Sequence, residues 1–369
     1  MIVYSNRFKK QCVIQRNYFD KDVAFKEKLF LLAHVLNKDN VSSKKLKNNN
    51  CQYFFRTYNY GKGIIFEGML FSSVDSYFKK RRMKENIKLF KKIYQKGFYR
   101  DAPFLSFKKK QLTEDIEENR KDSYIVLKSK MLLPYSAIDI DLNALNNISI
   151  EDLYQILPKI YSNKRKDYIY LGDIFKRENF KKDSFFQDSL DDIPVDYSQT
   201  NEIIYSQSIK NETMISTYSF KKIKTVFDFY LTYASLQAIV YYFLALQDIL
   251  SIQCHPIIDI ISECKAVICF IYDKNMLYNN VERIFFTYST LKEDIPIEYV
   301  RQAIRKIKLD LISVNNDLSI AINRMLVLKD LKILDSSVFD DFSINENQIK
   351  EKLREIKKVD VFSMMKGKK

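Results

Sequence analysis

The chain has 369 residues, of which 46% are hydrophobic and 29% charged, with six Gly and six Pro. This composition supplies a sizeable core, excludes a disordered chain or an integral membrane protein, and disfavours a turn-rich all-β fold. The formal net charge is +15 and is placed unevenly: residues 1–110 hold 26 Lys/Arg against 8 Asp/Glu, net +18, and the remaining 259 residues hold 35 against 38, net −3.

Lys, Asn, Ile, Phe and Tyr dominate and Trp is absent, the pattern of an AT-rich genome. Codon bias acts along the whole chain, so the charge step asks for a local cause, and a field of this sign attracts phosphate polymers or anionic surfaces. Five cysteines, at 12, 51, 254, 264 and 269, are odd in number and show no CxxC spacing. They argue against a disulfide framework or structural zinc and for a reducing, intracellular compartment. The two histidines, His34 and His255, exclude a histidine-rich metal site by count. No secretory leader pattern opens the sequence.

Taken in chain order, Met1–Ser5 and Gln11–Asn17 read as strands and Lys21–Leu36 as a helix, with Asn37–Asn50 a polar loop. Tyr53–Tyr60 and Ile64–Phe71 form a hairpin around Gly61-Lys62-Gly63. A helix over Ser76–Lys96 follows, and Pro103–Phe107 or Ser123–Leu127 supplies a last strand. The order is then βαββαβ, the ferredoxin-like arrangement. Leu132–Leu142 reads as a strand, and Ser149–Tyr161 as a helix with Ser149 as its N-cap. Residues 176–201 read as a polar loop or boundary. Thr225–Ile252 is a long apolar helix with no charge over 19 residues between Asp228 and Asp248. Its Thr, Ser, Gln and Tyr content favours a buried core helix over a membrane span. Lys265–Tyr272 reads as a buried strand.

From Ile297 to Leu328, apolar residues recur in steps of three and four, the seam of one long heptad helix over residues 297–334. A second amphipathic helix carries Ile349, Leu353, Ile356 and Val359 and closes a helical hairpin. The predicted fold class is therefore α+β: a basic α/β module over residues 1–110, a mixed middle over 111–225, and a mostly helical domain over 226–369 with its hairpin at 297–365.

The strongest binding signal is residues 79–110, with thirteen Lys/Arg against Glu85 and Asp101. On its helix, Met83, Ile87, Phe90 and Tyr94 make an apolar stripe, and Lys80, Arg81, Lys84, Lys88, Lys91 and Lys92 a cationic rail that suits phosphates. Arg56 and Tyr58 on the hairpin suit stacking against unpaired bases. Catalytic signals are weak. Asp139 and Asp141 share a strand face and suit Mg²⁺. Glu263 and Lys265 form half of a nuclease-type acid–lysine site. No Walker, G-x-G-x-x-G, H-E-x-x-H or kinase motif is present.

These readings lead to a non-enzymatic nucleic-acid-binding component of a larger intracellular assembly, with RNA ahead of DNA and no cofactor. Protein or self-association is expected through residues 297–365. The alternatives are a metal-dependent nuclease or nucleotidyltransferase using Mg²⁺, and a structural subunit meeting an acidic protein or a membrane surface.

Overall fold

The computed structural model describes residues 2–3, 10–20, 23–37, 41–60, 63–73, 79–96, 102–130, 140–171, 202–249, 251–289 and 295–367. The chain divides into two compact units. One takes Met1–Asn119 and Leu132–Pro194, the other Arg120–Met131 and Val195–Lys369. Residues 111–225, read above as a mixed middle, are shared between them.

The first unit begins with strands β1 (Ile2–Val3) and β2 (Lys10–Asp20), then helices α1 (Lys26–Leu36) and α2 (Val41–Asn48). The hairpin β3 (Cys51–Tyr60) and β4 (Gly63–Ser73) leads to α3 (Lys79–Lys96) and α4 (Ala102–Asn119). After an excursion into the second unit come α6 (Leu142–Asn146), α7 (Ile150–Ser162) and β5 (Lys166–Leu171). The sheet order is β1-β5-β2-β4-β3. Only β1 with β5 is parallel; the other pairs are antiparallel.

The first and third strands of a βαββαβ unit thus lie side by side between the fourth and second, which is the ferredoxin-like order with β1 added at the edge. Strand alternation puts Val13, Phe55, Phe66 and Leu70 on the face that meets the helices. There Phe55 stacks on Phe90 of α3 with ring centroids 5.4 Å apart.

The expected helix, hairpin, helix sequence stands, with helices starting at Lys26 and Lys79. The last strand is a correction. Pro103–Phe107 opens α4 and Ser123–Leu127 lies in α5 (Ser123–Lys130), whereas β5 completes the sheet. The Pro103–Phe107 run continues at helical spacing, burying Leu105, Leu112 and Ile116 along one face. Part of the expected 37–50 loop is the helix α2.

The second unit holds α5, β6 (Glu202–Ser206), β7 (Glu212–Ser219), α8 (Val226–Ile249), β8 (Cys254–Ser262), β9 (Lys265–Tyr272) and α9 (Met276–Ser289). Then follow α10 (Ile297–Asn316), α11 (Leu318–Asp330), a 3-10 turn at Ser336–Phe339, α12 (Glu346–Glu355) and β10 (Lys357–Lys366). The order is β6-β10-β7-β9-β8, with β6 parallel to β10 and the remaining pairs antiparallel. This is the plan of the first sheet repeated strand for strand.

α8 is long and apolar enough to cross a membrane, and here it packs as the core helix of this unit. Its Phe243 ring lies 4.3 Å from that of Phe270 on β9, and its Tyr242 ring 5.3 Å from Tyr299 on α10. The chain is α+β as expected, although the C-terminal half also carries a complete sheet.

The long heptad helix is two helices. Asp317 accepts backbone hydrogen bonds from Ser319 and Ile320 at 2.7 and 3.1 Å, so it caps α11 and ends α10. The seam residues Val300, Ile307, Leu311, Val314, Ala321, Met325 and Leu328 are buried within this unit. The expected hairpin also changes. α12 stops at Glu355, and the β-rich run Val359-Asp360-Val361-Phe362 belongs to β10.

Candidate functional site

On the first sheet, the face turned away from the helices carries a charged row. The register aligns Arg56 of β3, Glu67 of β4, Arg16 of β2 and Asp167 of β5. Glu67 is fully buried and accepts from three donors: Arg16 Nε at 2.8 Å, Arg56 Nε at 2.6 Å and the Tyr58 hydroxyl at 3.1 Å. A carboxylate so enclosed needs its cations, because the low-dielectric surroundings replace its hydration. The Arg56 guanidinium lies 5.1 Å from the Tyr58 ring centroid. Asp167 accepts from the Tyr18 hydroxyl at 2.6 Å.

The corresponding face of the second sheet is covered by α5. Ser123 and Thr213, both fully buried, share a hydroxyl hydrogen bond. Asp259 of β8 accepts from Lys128 Nζ and from the Tyr124 hydroxyl, each at 2.7 Å. Burial first, then the nearby Asp259 charge, raises the Tyr124 hydroxyl far above its ordinary value. Asp360 is buried and accepts from Thr217 Oγ1 at 3.2 Å.

The residues singled out from the sequence are distributed as follows. Arg56 and Tyr58 are engaged with Glu67. Lys84, Lys88 and Lys92 are exposed along α3, and Lys91 lies 4.9 Å from the Tyr168 ring centroid. The side chains of Lys80 and Arg81, and all of Asp139, lie outside the described residues. Asp141 accepts from the Asn143 backbone at 2.8 Å and caps α6. Glu263 pairs with Lys222 at the β8–β9 turn, and Lys265 begins β9. Among the described residues, no three His, Cys, Asp or Glu side chains cluster as a metal site. Sequence reasoning missed Glu67 and Asn37. Glu67 left a signal: it is the only charge in the apolar run Gly63–Phe71.

An H-x-x-E-H zinc site needs two histidines four residues apart with a glutamate beside the second. Counting back from His34 on α1 gives Ala33 and Phe30, and from His255 gives Cys254 and Ser251. Neither register supplies the ligands. Burial holds the His34 imidazole below its ordinary pKa.

No family model matches the chain, and no curated protein matches it. Solved structures do. A conserved protein from Enterococcus faecalis V583 aligns with a TM-score of 0.69 at 13% identity, covering 100% of this chain and 96% of that one. A protease from Helicobacter pylori aligns at 0.64 and 13%, covering 98% and 96%. The peptidase M16 inactive domain from Pseudomonas fluorescens aligns at 0.60 and 13%, covering 100% and 95%. The same fold is matched in the ferredoxin protease FusC bound to Arabidopsis ferredoxin, over 44% of that chain, and in complex III2 from Candida albicans, over 93%.

Over its whole length, then, the chain has the fold of M16-peptidase-like proteins. This likeness overturns the expectation of a nucleic-acid-binding component, RNA-preferring or otherwise, together with its nuclease and nucleotidyltransferase alternatives. Structural neighbours of this fold include proteins seen with protein partners.

Proposed function

We propose that the chain is a protein-binding module built on the M16-peptidase-like fold and that it does not itself cleave peptides. The observation that carries this reading is the combination of a whole-length likeness to peptidase-fold proteins with a donor set that cannot make an H-x-x-E-H site. The fold alone does not fix an activity, because function depends on the site grafted onto it. Counting back from His34, the places that a second histidine and a glutamate would need are held by the buried apolar Phe30 and Ala33.

Protein or self-association through residues 297–365 belongs to this reading in a narrower form. The heptad seam is spent inside the second unit. The side chains left for a partner on α10 are Leu309 and Ile312, 60% and 55% exposed. Five free cysteines support a reducing compartment.

The test uses the purified full chain. Chemical crosslinking in a native extract should capture defined protein partners, with yield reduced by Leu309→Glu and Ile312→Glu. A fluorogenic peptide library should remain uncleaved with or without added zinc. Zinc-dependent cleavage that co-purifies with the chain and is lost in His34→Ala would overturn the reading.

A further inference from the structure

β3 is an edge strand, and at its midpoint the outer backbone is already occupied. Asn37, just past the end of α1, donates Nδ2 to the Phe55 carbonyl at 2.9 Å and accepts the Phe55 N–H at 2.7 Å. At Phe55 a side-chain amide fills the place of a further strand, which interrupts main-chain pairing along this edge. What β3 still offers is its side-chain row on the face away from the helices: Gln52, Phe54, Arg56 and Tyr58, spaced by two.

Within that row Arg56 is half spent. Its Nε donates to Glu67, and both Glu67 oxygens are occupied by Arg16, Arg56 and Tyr58. The two terminal nitrogens of Arg56 take no partner among the described residues, and the side chain is 35% exposed. Glu67 and the Tyr58 ring fix the guanidinium from one end and one side, so its remaining fork is pre-aimed. Phe54, 44% exposed, stands two residues away on the same face.

We propose that the Phe54–Arg56 row is a binding site for a carboxylate set beside an apolar side chain, presented by a protein partner. The proposal rests on the protein-binding reading above and names the chemistry its partner brings. A planar fork of two N–H groups matches a carboxylate in bidentate fashion. A phosphate polymer would call for a further cation in the row, and Gln52, Phe54 and Tyr58 supply none. The ring of Phe54 gives the apolar neighbour of that carboxylate a surface to cover. Because Asn37 interrupts the edge, recognition uses side chains and not strand addition.

The experiment follows the arginine side-chain signals of the ¹⁵N-arginine-labelled full chain by NMR. The probes are 3-phenylpropionate, its neutral amide 3-phenylpropionamide, and inorganic phosphate. 3-Phenylpropionate should shift one guanidinium signal saturably, identified as Arg56 by its loss in Arg56→Gln. The amide should bind about tenfold or more weakly, the cost of losing a charge-assisted pair. Phe54→Ala, which leaves the Glu67 bonds untouched, should weaken 3-phenylpropionate several-fold, on the order expected for lost apolar contact. An equal response to the amide, a stronger response to phosphate, or unchanged affinity in Phe54→Ala would overturn the proposal.

Partner capture by the Arg56→Gln chain separates this idea from the broader one. If wild-type Arg56 ignores 3-phenylpropionate while both chains capture partners equally, the protein-binding reading stands and the carboxylate site falls. If Arg56 responds but the wild-type chain captures nothing, the carboxylate-binding chemistry of the row stands, while the protein-binding reading and with it the protein origin of the carboxylate fall.

Discussion

The two sheets follow one strand plan, down to a parallel edge strand laid beside the last strand, β1 on β5 and β6 on β10. The faces behind them differ. The first holds a buried carboxylate between two guanidiniums; the second is covered by a helix that brings Tyr124 and Lys128 to Asp259. Backbone pairing and alternation are indifferent to which residues occupy the far face, so the topology is duplicated while the chemistry diverges. The two units therefore differ most in those far faces.

The shared plan predicts equal sensitivity on the helix side. Phe55→Ala and Phe243→Ala should each destabilise their own unit by about 3–5 kcal/mol, read as unit-specific loss of hydrogen-exchange protection. A loss spread evenly over both units would break the two-unit description. The far faces should respond unequally. Glu67→Ala removes the buried carboxylate to which both Arg16 and Arg56 donate and should cost about 3–5 kcal/mol. Asp259→Asn touches a pair that is one-third exposed on the aspartate side and should cost about 1–2 kcal/mol. Equal costs would mean that the two faces are energetically alike after all.

The smallest expected effects lie at helix starts. Ser149 and Asp152 form a reciprocal capping box at α7, and Asn345 with Gln348 forms another at α12. Ser149→Ala and Asn345→Ala should each cost about 1 kcal/mol in denaturant titrations. The α7 cap has a pH signature as well. The Lys28 ammonium, first, and then the Ser149 backbone and hydroxyl hold the Asp152 carboxyl down at about 2, from an ordinary value of 3.8. The folded pKa is depressed, so the stabilisation is present above the unfolded value and is lost as pH falls through the folded one. Protection of α7 should therefore weaken between about pH 4 and pH 2, and Asp152→Asn should remove that dependence.

The sequence made some of this legible for clear reasons. The β3–β4 hairpin announced itself because Gly61-Lys62-Gly63 interrupts an alternating aromatic run, and a turn of that kind sets its own register. The apolar stripe from Ile297 to Leu328 correctly marked one buried face. It did not reveal that Asp317 would cap a new helix, because capping depends on local backbone bonds and leaves the stripe unbroken.

The repeated plan was invisible. β7 buries Thr213, Ser216 and Thr217 beside Met214 and Ile215, so its hydrophobic alternation is weak, and β5 has only six residues. At the candidate site, Arg56 was read as a partner for bases, and it donates to Glu67. In isolation an arginine among aromatics suggests bases, whereas the hairpin register already places it opposite Glu67. Of the basic rail on α3, Lys84, Lys88 and Lys92 are exposed, but charge density alone carries no information about the fold that displays it.

The placement of α5 has a consequence for how the chain comes together. This helix is synthesised between two stretches of the first unit, yet its Ser123 meets Thr213, ninety residues later. During translation it must wait, with its contact face uncovered, until β7 and β8 have emerged. No single cut separates the chain into its two natural pieces. A fragment beginning at Val195 would carry the second sheet without its cover, leaving Thr213 and Asp259 bare. A full-length chain nicked between residues 172 and 194 would keep α5 on the first fragment, anchored to the sheet of the second.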